Sequence, residues 1–242
     1  MTRSPRRTEL TPGYLLHHRP WRDTSRILEV LTREHGRLTL FARGVRGPRA
    51  KLASVLQPFQ PLLLSWSGRG EAAQLTQAER AQGCAPLPPA VLLAAFYLNE
   101  LLLKLTTRHD PLPELFDHYH AALGALRAGA SLEPSLRIFE KRLLEVLGYG
   151  LDLGSESLSG RPIKAGEYYH YRPAQGLIGA GPVRAGALAG ESLLALAAEE
   201  LTDVRALEDA RRLLKAALAA CLEGRQLTTR TVARALRHKV AS

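Results

Sequence analysis

Residues 25–42 read SRILEVLTREHGRLTLFA, and the fold turns on them. Apolar and polar residues alternate along 25–32 and again along 36–42, the two-residue period of a strand with one buried face. Glu34-His35-Gly36 makes a tight turn between them, so the pair predicts an antiparallel hairpin. Outward from it, 13–19 (GYLLHHR) predicts a first strand, 60–66 (QPLLLSW) a fourth and 71–81 (EAAQLTQAERA) a fifth. Five short strands joined by tight turns predict a small closed or half-closed barrel. Between the third and fourth strands, ARGVRGPRAKLASVLQP (42–58) is too polar and too broken by Gly and Pro to be a strand.

The strand period ends at CAPLPP (84–89), whose prolines suit a helix start. Helices are then expected over roughly 90–105, 112–129, 131–150, 186–200, 203–222 and 227–239. The first is apolar on nearly every side, as a helix buried between neighbours would be. Leu136, Phe139, Leu143, Leu144 and Leu147 form one stripe on the third; Asp203 and Gly224 read as the cap and stop of the fifth. Residues 151–182 are rich in Gly, Ser and Tyr and read as an irregular insert with at most a short hairpin. The expected class is α+β, with a barrel domain at 1–83 and an all-α domain at 84–242.

Several functions are excluded early. Of the 242 residues 45% are apolar, enough for a core, and no uncharged run is long enough to cross a membrane. The start, MTRSPRRTEL, lacks the apolar stretch of a secretory leader. Cys84 and Cys221 match no zinc spacing, so neither a metal nor a cofactor is expected, and a cytoplasmic protein is the default. The sequence holds no phosphate-binding Gly-Lys-Ser/Thr loop, no GxSxG elbow and no HExxH pair. His17 and His18 point to opposite faces of a strand, and His118 and His120 diverge on a helix. Glu140 and Glu145 lie on different helix faces and read as solvated charges. No catalytic residue emerges, and the chain is not expected to be an enzyme.

The charge is more informative. Lys and Arg total 33 against 23 Asp and Glu, a net of +10. Residues 1–83 hold 14 against 6, and residues 84–242 hold 19 against 17. The positive field therefore belongs to the barrel, and such a field attracts polyanions by releasing their condensed counterions. In the loop after the third strand, Arg43, Arg46, Arg49 and Lys51 alternate with Gly44, Gly47 and Pro48. Glycines let the backbone approach phosphates, and guanidinium forks bind them. Arg19, Arg22 and Arg26 are close in sequence. Trp21 and Phe41 either stack on unpaired bases or pack into the core.

These residues resemble the RecO family of bacterial recombination mediators. HHRPWRDTSRILEVLTREHGRLTLFARGVRG resembles its first three strands and basic loop, and LQPFQPLLLSWSGRGEAAQLTQAE its fourth and fifth. YLNELLLKL resembles its first long helix, and LRIFEKRLLEVLGYGLDL its central helix and exit. The resemblance implies an N-terminal five-stranded OB-fold barrel followed by a helical domain. It implies binding of single- and double-stranded DNA and annealing of complementary strands, without ATP. It implies cooperation with RecR and docking on the acidic C-terminal tail of the single-stranded-DNA-binding protein, which helps load the recombinase on coated DNA. By the same resemblance Arg137 is the residue for that tail. Work at the nucleoid, within the cytoplasm, follows.

Many family members carry a four-cysteine zinc module after GYGLDL. Here the stretch reads GSESLSGRP, like the zinc-less branch, so the insert is expected to hold its shape by packing, with help from Tyr168, Tyr169 and Tyr171. Two other readings share parts of the pattern. An RNA-binding OB-fold protein of translation or RNA processing would show the same strands, and a hydrolase would need an acidic cluster that is not evident.

Overall fold

In a computed structural model describing residues 7–45, 51–68, 73–181 and 186–233, Ser25–Thr32 (β2) and Gly36–Ala42 (β3) form the expected hairpin. They pair in unbroken register from Thr32↔Gly36 to Arg26↔Ala42. The first strand, Arg7–Trp21 (β1), is longer than GYLLHHR because it serves two neighbours. Its first half pairs with Pro61–Ser67 (β4), and from Gly13 onward it pairs with β2. Gly13 sits where the strand is crowded: a Cβ there would lie 2.9 Å from Leu64 Cδ1 and 3.0 Å from the Leu31 carbonyl. Gln74–Arg80 (β5) pairs with β4, and Phe41 pairs in parallel with Gln74, its N–H donating to Ala73 O at 3.0 Å. The barrel is thereby closed in the order β1-β2-β3-β5-β4.

Its interior is built from alternate residues. Leu28 and Val30 of β2, Leu38, Leu40 and Ala42 of β3, and Leu62, Leu64 and Trp66 of β4 meet inside. Burying such side chains contributes roughly 1.5–3 kcal/mol each.

After a break at 81–88 come Leu92–Leu105 (α2) and Pro113–Arg127 (α3); Lys51–Val55 in the basic loop is α1. α2 packs against β1, which explains its apolar surround. The buried Asn99 donates to Leu16 O at 2.8 Å and accepts from the Tyr119 hydroxyl, so its burial leaves neither end of the amide unsatisfied. Burial raises the Tyr14 hydroxyl to about 12, and that hydroxyl bonds His120 Nδ1 at 2.6 Å.

Compactness divides the chain elsewhere than at 83/84. One unit comprises residues 1–127 and 227–242, so α2, α3 and the C-terminal segment go with the barrel. The other comprises residues 128–226. It holds Leu132–Val146 (α4), Gly190–Ala198 (α5) and Val204–Leu222 (α6). Leu136, Phe139, Leu143 and Leu144 of α4 are buried as the stripe predicts. Asp203 caps α6 by accepting from Ala206 N at 3.0 Å.

The insert is more regular than its composition suggests. Tyr168–Arg172 (β6), Gly176–Gly179 (β7) and Leu188–Ala189 (β8) form an antiparallel sheet in the order β7-β6-β8. Nor does packing alone hold it. Asp152 accepts from the N–H groups of Gly154 and Ser155 at 2.9 and 3.1 Å. Glu156 accepts from the Ser159 hydroxyl and from Arg161. Ile163 N donates to Gly154 O at 2.9 Å and closes the loop. Among the tyrosines, Tyr169 is fully buried and its hydroxyl accepts from Lys164 N at 2.9 Å.

One ionic network braces the barrel to α2. Glu29 on the outer face of β2 accepts from Arg37 at 2.8 Å, Thr39 at 2.9 Å and Arg108 at 2.7 Å. Arg37 also donates to the Thr106 carbonyl at the end of α2, at 2.7 Å. Burial pushes the Glu29 carboxyl up, but the Arg108 and Thr39 hydrogen bonds and both guanidinium charges outweigh it, and its pKa falls below the ordinary 4.5. A depressed carboxyl pKa stabilises the fold fully above the unfolded value. That stabilisation is lost as pH falls from about 4.5 through the folded value. Glu29→Gln should therefore lower the melting temperature at pH 7 and flatten its decline between pH 5 and 3. Parallel melting curves for wild type and variant across that range would refute the assignment.

Candidate nucleic-acid interface

Strand register gathers the basic residues at one end of the barrel. Pro20 pairs with Arg26 and Trp21 with Ser25, so Arg22, Asp23 and Thr24 form the turn of the β1–β2 hairpin. Arg26 pairs in turn with Ala42, which places Arg43 just beyond the same edge. Arg19, Arg22 and Arg43 are exposed and Arg26 is half-buried. Arg22 takes a left-handed backbone, φ 50, which turns the chain within three residues. Arg46 and Arg49 lie outside the described residues; Lys51 opens α1, and its side chain is outside them too.

Both flanks of the basic loop are fixed. Val45 has no exposed surface and belongs to the barrel core, as does Leu56, with Leu52 and Val55 packed against it. Arg46, Arg49 and Lys51 thus fall in sequence between two apolar anchors, Val45 before them and Leu52, Val55 and Leu56 after.

The aromatic alternatives resolve in part. Phe41 lies on the opposite strand face from the interior residues Leu38, Leu40 and Ala42, and is half-buried. Trp21 is 42% exposed and meets Phe41 edge-on, centroids 6.2 Å apart. Neither is among the residues of the barrel core, and Trp21 sits at the strand end between Arg19 and Arg22 in sequence, in register with Ser25. His18, on the same strand end, is held below its ordinary pKa by partial burial and then by Arg26 and His17. It is therefore neutral at pH 7 and adds no charge.

The charge partition sharpens once the compact units are known. The unit containing the barrel carries 21 Lys and Arg against 10 Asp and Glu, and the other carries 12 against 13. The whole positive excess resides in the barrel's unit, including a share from the C-terminal segment that the split at 83/84 hides.

Arg137 is a buried side chain of α4. It is 6% exposed, and its guanidinium lies 3.0 Å from Glu140 Oε1 one turn along α4. Glu140 has no exposed surface, so it is not a solvated charge. Arg137 Nε is buried and has no hydrogen-bond partner among the described residues. The next residues form a separate cluster: Lys141 donates to Glu199 and to the Ala197 carbonyl, both at 3.0 Å, and Arg142 pairs with Glu145 and Glu199. Their role is to fasten α4 to the end of α5. The helical stripe gave no sign of this, because an arginine within it looks the same whether buried or exposed.

An apolar hollow of about 310 Å³ lies in the same unit, lined by residues that include Tyr149, Leu151, Tyr171, Leu177 and Cys221. Arg137 does not line it. Among the described residues no group of three or more His, Cys, Asp or Glu side chains is placed to hold a metal.

Known proteins supply the comparison. The N-terminal model of recombination protein O matches residues 7–84, and its C-terminal model matches residues 89–237. DNA repair protein RecO of Methylococcus capsulatus is 46% identical over 234 residues, covering 95% of each chain. The protein of the same description from Nitrosococcus oceani is 44% identical over 238 residues, 96% of this chain and 95% of its own. That from Haemophilus influenzae is 39% identical over 223 residues, 92% of this chain and 94% of its own.

Proposed function

Because this chain belongs to the RecO family of DNA repair proteins, we propose that it anneals complementary strands and helps the recombinase reach DNA already coated by single-stranded-DNA-binding protein. The observation that carries the reading is the concentration of all net charge in the barrel's unit, with Trp21 and the arginines at one barrel end. Two bare strands repel one another. A cationic surface that holds one and attracts the other lowers that repulsion and raises their local concentration, so pairing proceeds without bond chemistry. Phosphates meet Arg19, Arg22, Arg26 and the loop cations, while Trp21 stacks on an unpaired base. No groove-reading helix is involved, so binding is indifferent to sequence and extends to duplex DNA. Nothing in this scheme needs a catalytic residue, a metal or ATP.

Access to coated DNA requires a grip on the coating protein. The open Nε donor of Arg137 suits a carboxylate of that protein's acidic tail, since a charge-assisted bond there would satisfy a buried donor. RecR would act at the same DNA junction, in the cytoplasm at the nucleoid. No helix among the described residues is long and apolar enough to cross a membrane.

The test is annealing of strands precoated with single-stranded-DNA-binding protein. The chain should accelerate annealing when the coat carries its acidic tail and lose most of that acceleration when the tail is deleted. Equal annealing with and without the chain would overturn the proposal.

A further inference from the structure

We infer that the apolar hollow beside Tyr149 is a docking site for a protein segment that carries an aromatic side chain next to a Lys or Arg. The hollow lies wholly within residues 128–226, and Arg137 does not line it. The inference goes beyond the annealing reading and does not depend on it.

Three pieces of chain build the walls. Tyr149 and Leu151 come from the exit of α4, Tyr171 and Leu177 from the β6–β7 hairpin, and Ala217 and Cys221 from α6. Each piece is held by contacts of its own. Tyr149 N donates to Leu144 O at 2.8 Å at the end of α4. Leu177 O accepts from Ser157 N at 2.8 Å, and Leu177 N donates to the Ser157 hydroxyl at 3.1 Å. Ala217 is buried on α6, which packs against α4 and α5. Walls already in place cost little to order when the hollow is filled. Its volume, about 310 Å³, is at the small end of ligand sites and suits one large side chain. Tyr149 lines it yet is 59% exposed, so part of the ring stays outside to meet a chain that continues past the buried residue.

The lining selects the sign of the partner. Burial raises the Tyr171 hydroxyl and the Cys221 thiol above their ordinary pKa values, so both are neutral at pH 7. Among the described lining residues Asp152 is the one charged side chain, and it is exposed. The Ser155 hydroxyl and the N–H groups of Gly154 and Ser155 hold its carboxyl below the ordinary value, so it stays ionised. Residues 128–226 hold 12 Lys and Arg against 13 Asp and Glu, which supplies no positive field to offset it. A phosphate chain or an acidic tail would bring like charge to Asp152. An aromatic ring instead fills the apolar walls, and a neighbouring Lys or Arg pairs with Asp152 at the edge.

The test measures binding of fluorescein-labelled Ser-Lys-Phe-Lys-Ser amide to the full chain by anisotropy. The same peptide with Glu for both Lys, and with Ala for Phe, should bind more weakly. Ala220 also lines the hollow but is exposed on α6, so Ala220→Leu should fill the space without changing the melting temperature. Affinity for the Lys-Phe-Lys peptide should then fall by on the order of tenfold. Asp152→Asn keeps an acceptor for the turn and removes the charge, and should weaken the same peptide by roughly two- to fivefold. Affinity equal to wild type in Ala220→Leu places the peptide elsewhere and overturns the inference. A Glu-Phe-Glu peptide that binds more tightly than the Lys peptide, and loses that binding in Ala220→Leu, would give the hollow to an acidic partner and also overturn it. Failure of wild type to bind the Lys-Phe-Lys peptide overturns it outright and leaves the annealing reading intact.

Discussion

Replacing Arg43, Arg46, Arg49 and Lys51 together with alanine should weaken binding to single strands by about the same factor whatever their sequence. The four cations fall within nine residues, Arg43 just before the core anchor Val45 and the other three in sequence between Val45 and Leu52–Leu56. Their expected partners are phosphates, which carry no sequence information. Each contact removed should flatten the salt dependence by roughly 0.7, so about 2.8 for the four. Annealing of bare strands should slow in parallel. The melting temperature should stay near wild type, because the apolar anchors Val45 and Leu56 are untouched and substitutions outside a core usually change stability little. An unchanged slope would move the strand path to the hairpin end at Arg19, Arg22 and Arg26, which a matching triple variant would then reveal.

The barrel was legible because its signals are local. Alternation in 25–42 specifies which residues face inward, and the turn at Glu34-His35-Gly36 specifies the register. What joins distant residues was not legible. Gly13 looks like the start of a strand, yet it lies in mid-strand, where β1 passes from β4 to β2. Glu29 reads as an ordinary polar position of an alternating strand, and only folding brings Arg108 to it. The partners of Glu100, the N–H groups of Thr228 and Thr229, lie 128 and 129 residues away, which no pattern of spacing could show. Asp152 is a different case. An aspartate two residues before a glycine, beside serines, is a turn signal that could have replaced packing as the expected support of the insert.

The candidate site divides in the same way. The basic residues were visible as composition, but their gathering at one barrel end depends on the pairing Pro20↔Arg26 and Arg26↔Ala42. Trp21 was ambiguous because an aromatic at a strand end suits a core and a surface equally. Its exposure becomes clear only once Phe41 is placed on the outer face.

Arg137→Ala should be among the most damaging single changes in residues 128–226. It removes the guanidinium that faces Glu140, a carboxylate with no exposed surface. Breaking a buried pair from one side costs about 3–5 kcal/mol, because the remaining charge stays desolvated. Against a total stability of roughly 5–15 kcal/mol, that is enough to unfold much of the unit. The alanine variant alone therefore cannot separate a partner site from a structural brace. Removing both charges can: Arg137→Met with Glu140→Leu fills similar volume and should restore stability to near wild type or above. If Arg137 grips an acidic tail, this folded double variant should still bind it tens of times more weakly, since a charge-assisted bond contributes about 1.5–3 kcal/mol. Arg137→Lys adds an independent arm. It keeps a cation opposite Glu140 but lacks the Nε donor, so it should fold and yet bind the tail less tightly. Tail binding equal to wild type in both folded variants would make Arg137 a brace for α4 and nothing more. Equal losses for tail and naked DNA would assign it to the DNA surface instead.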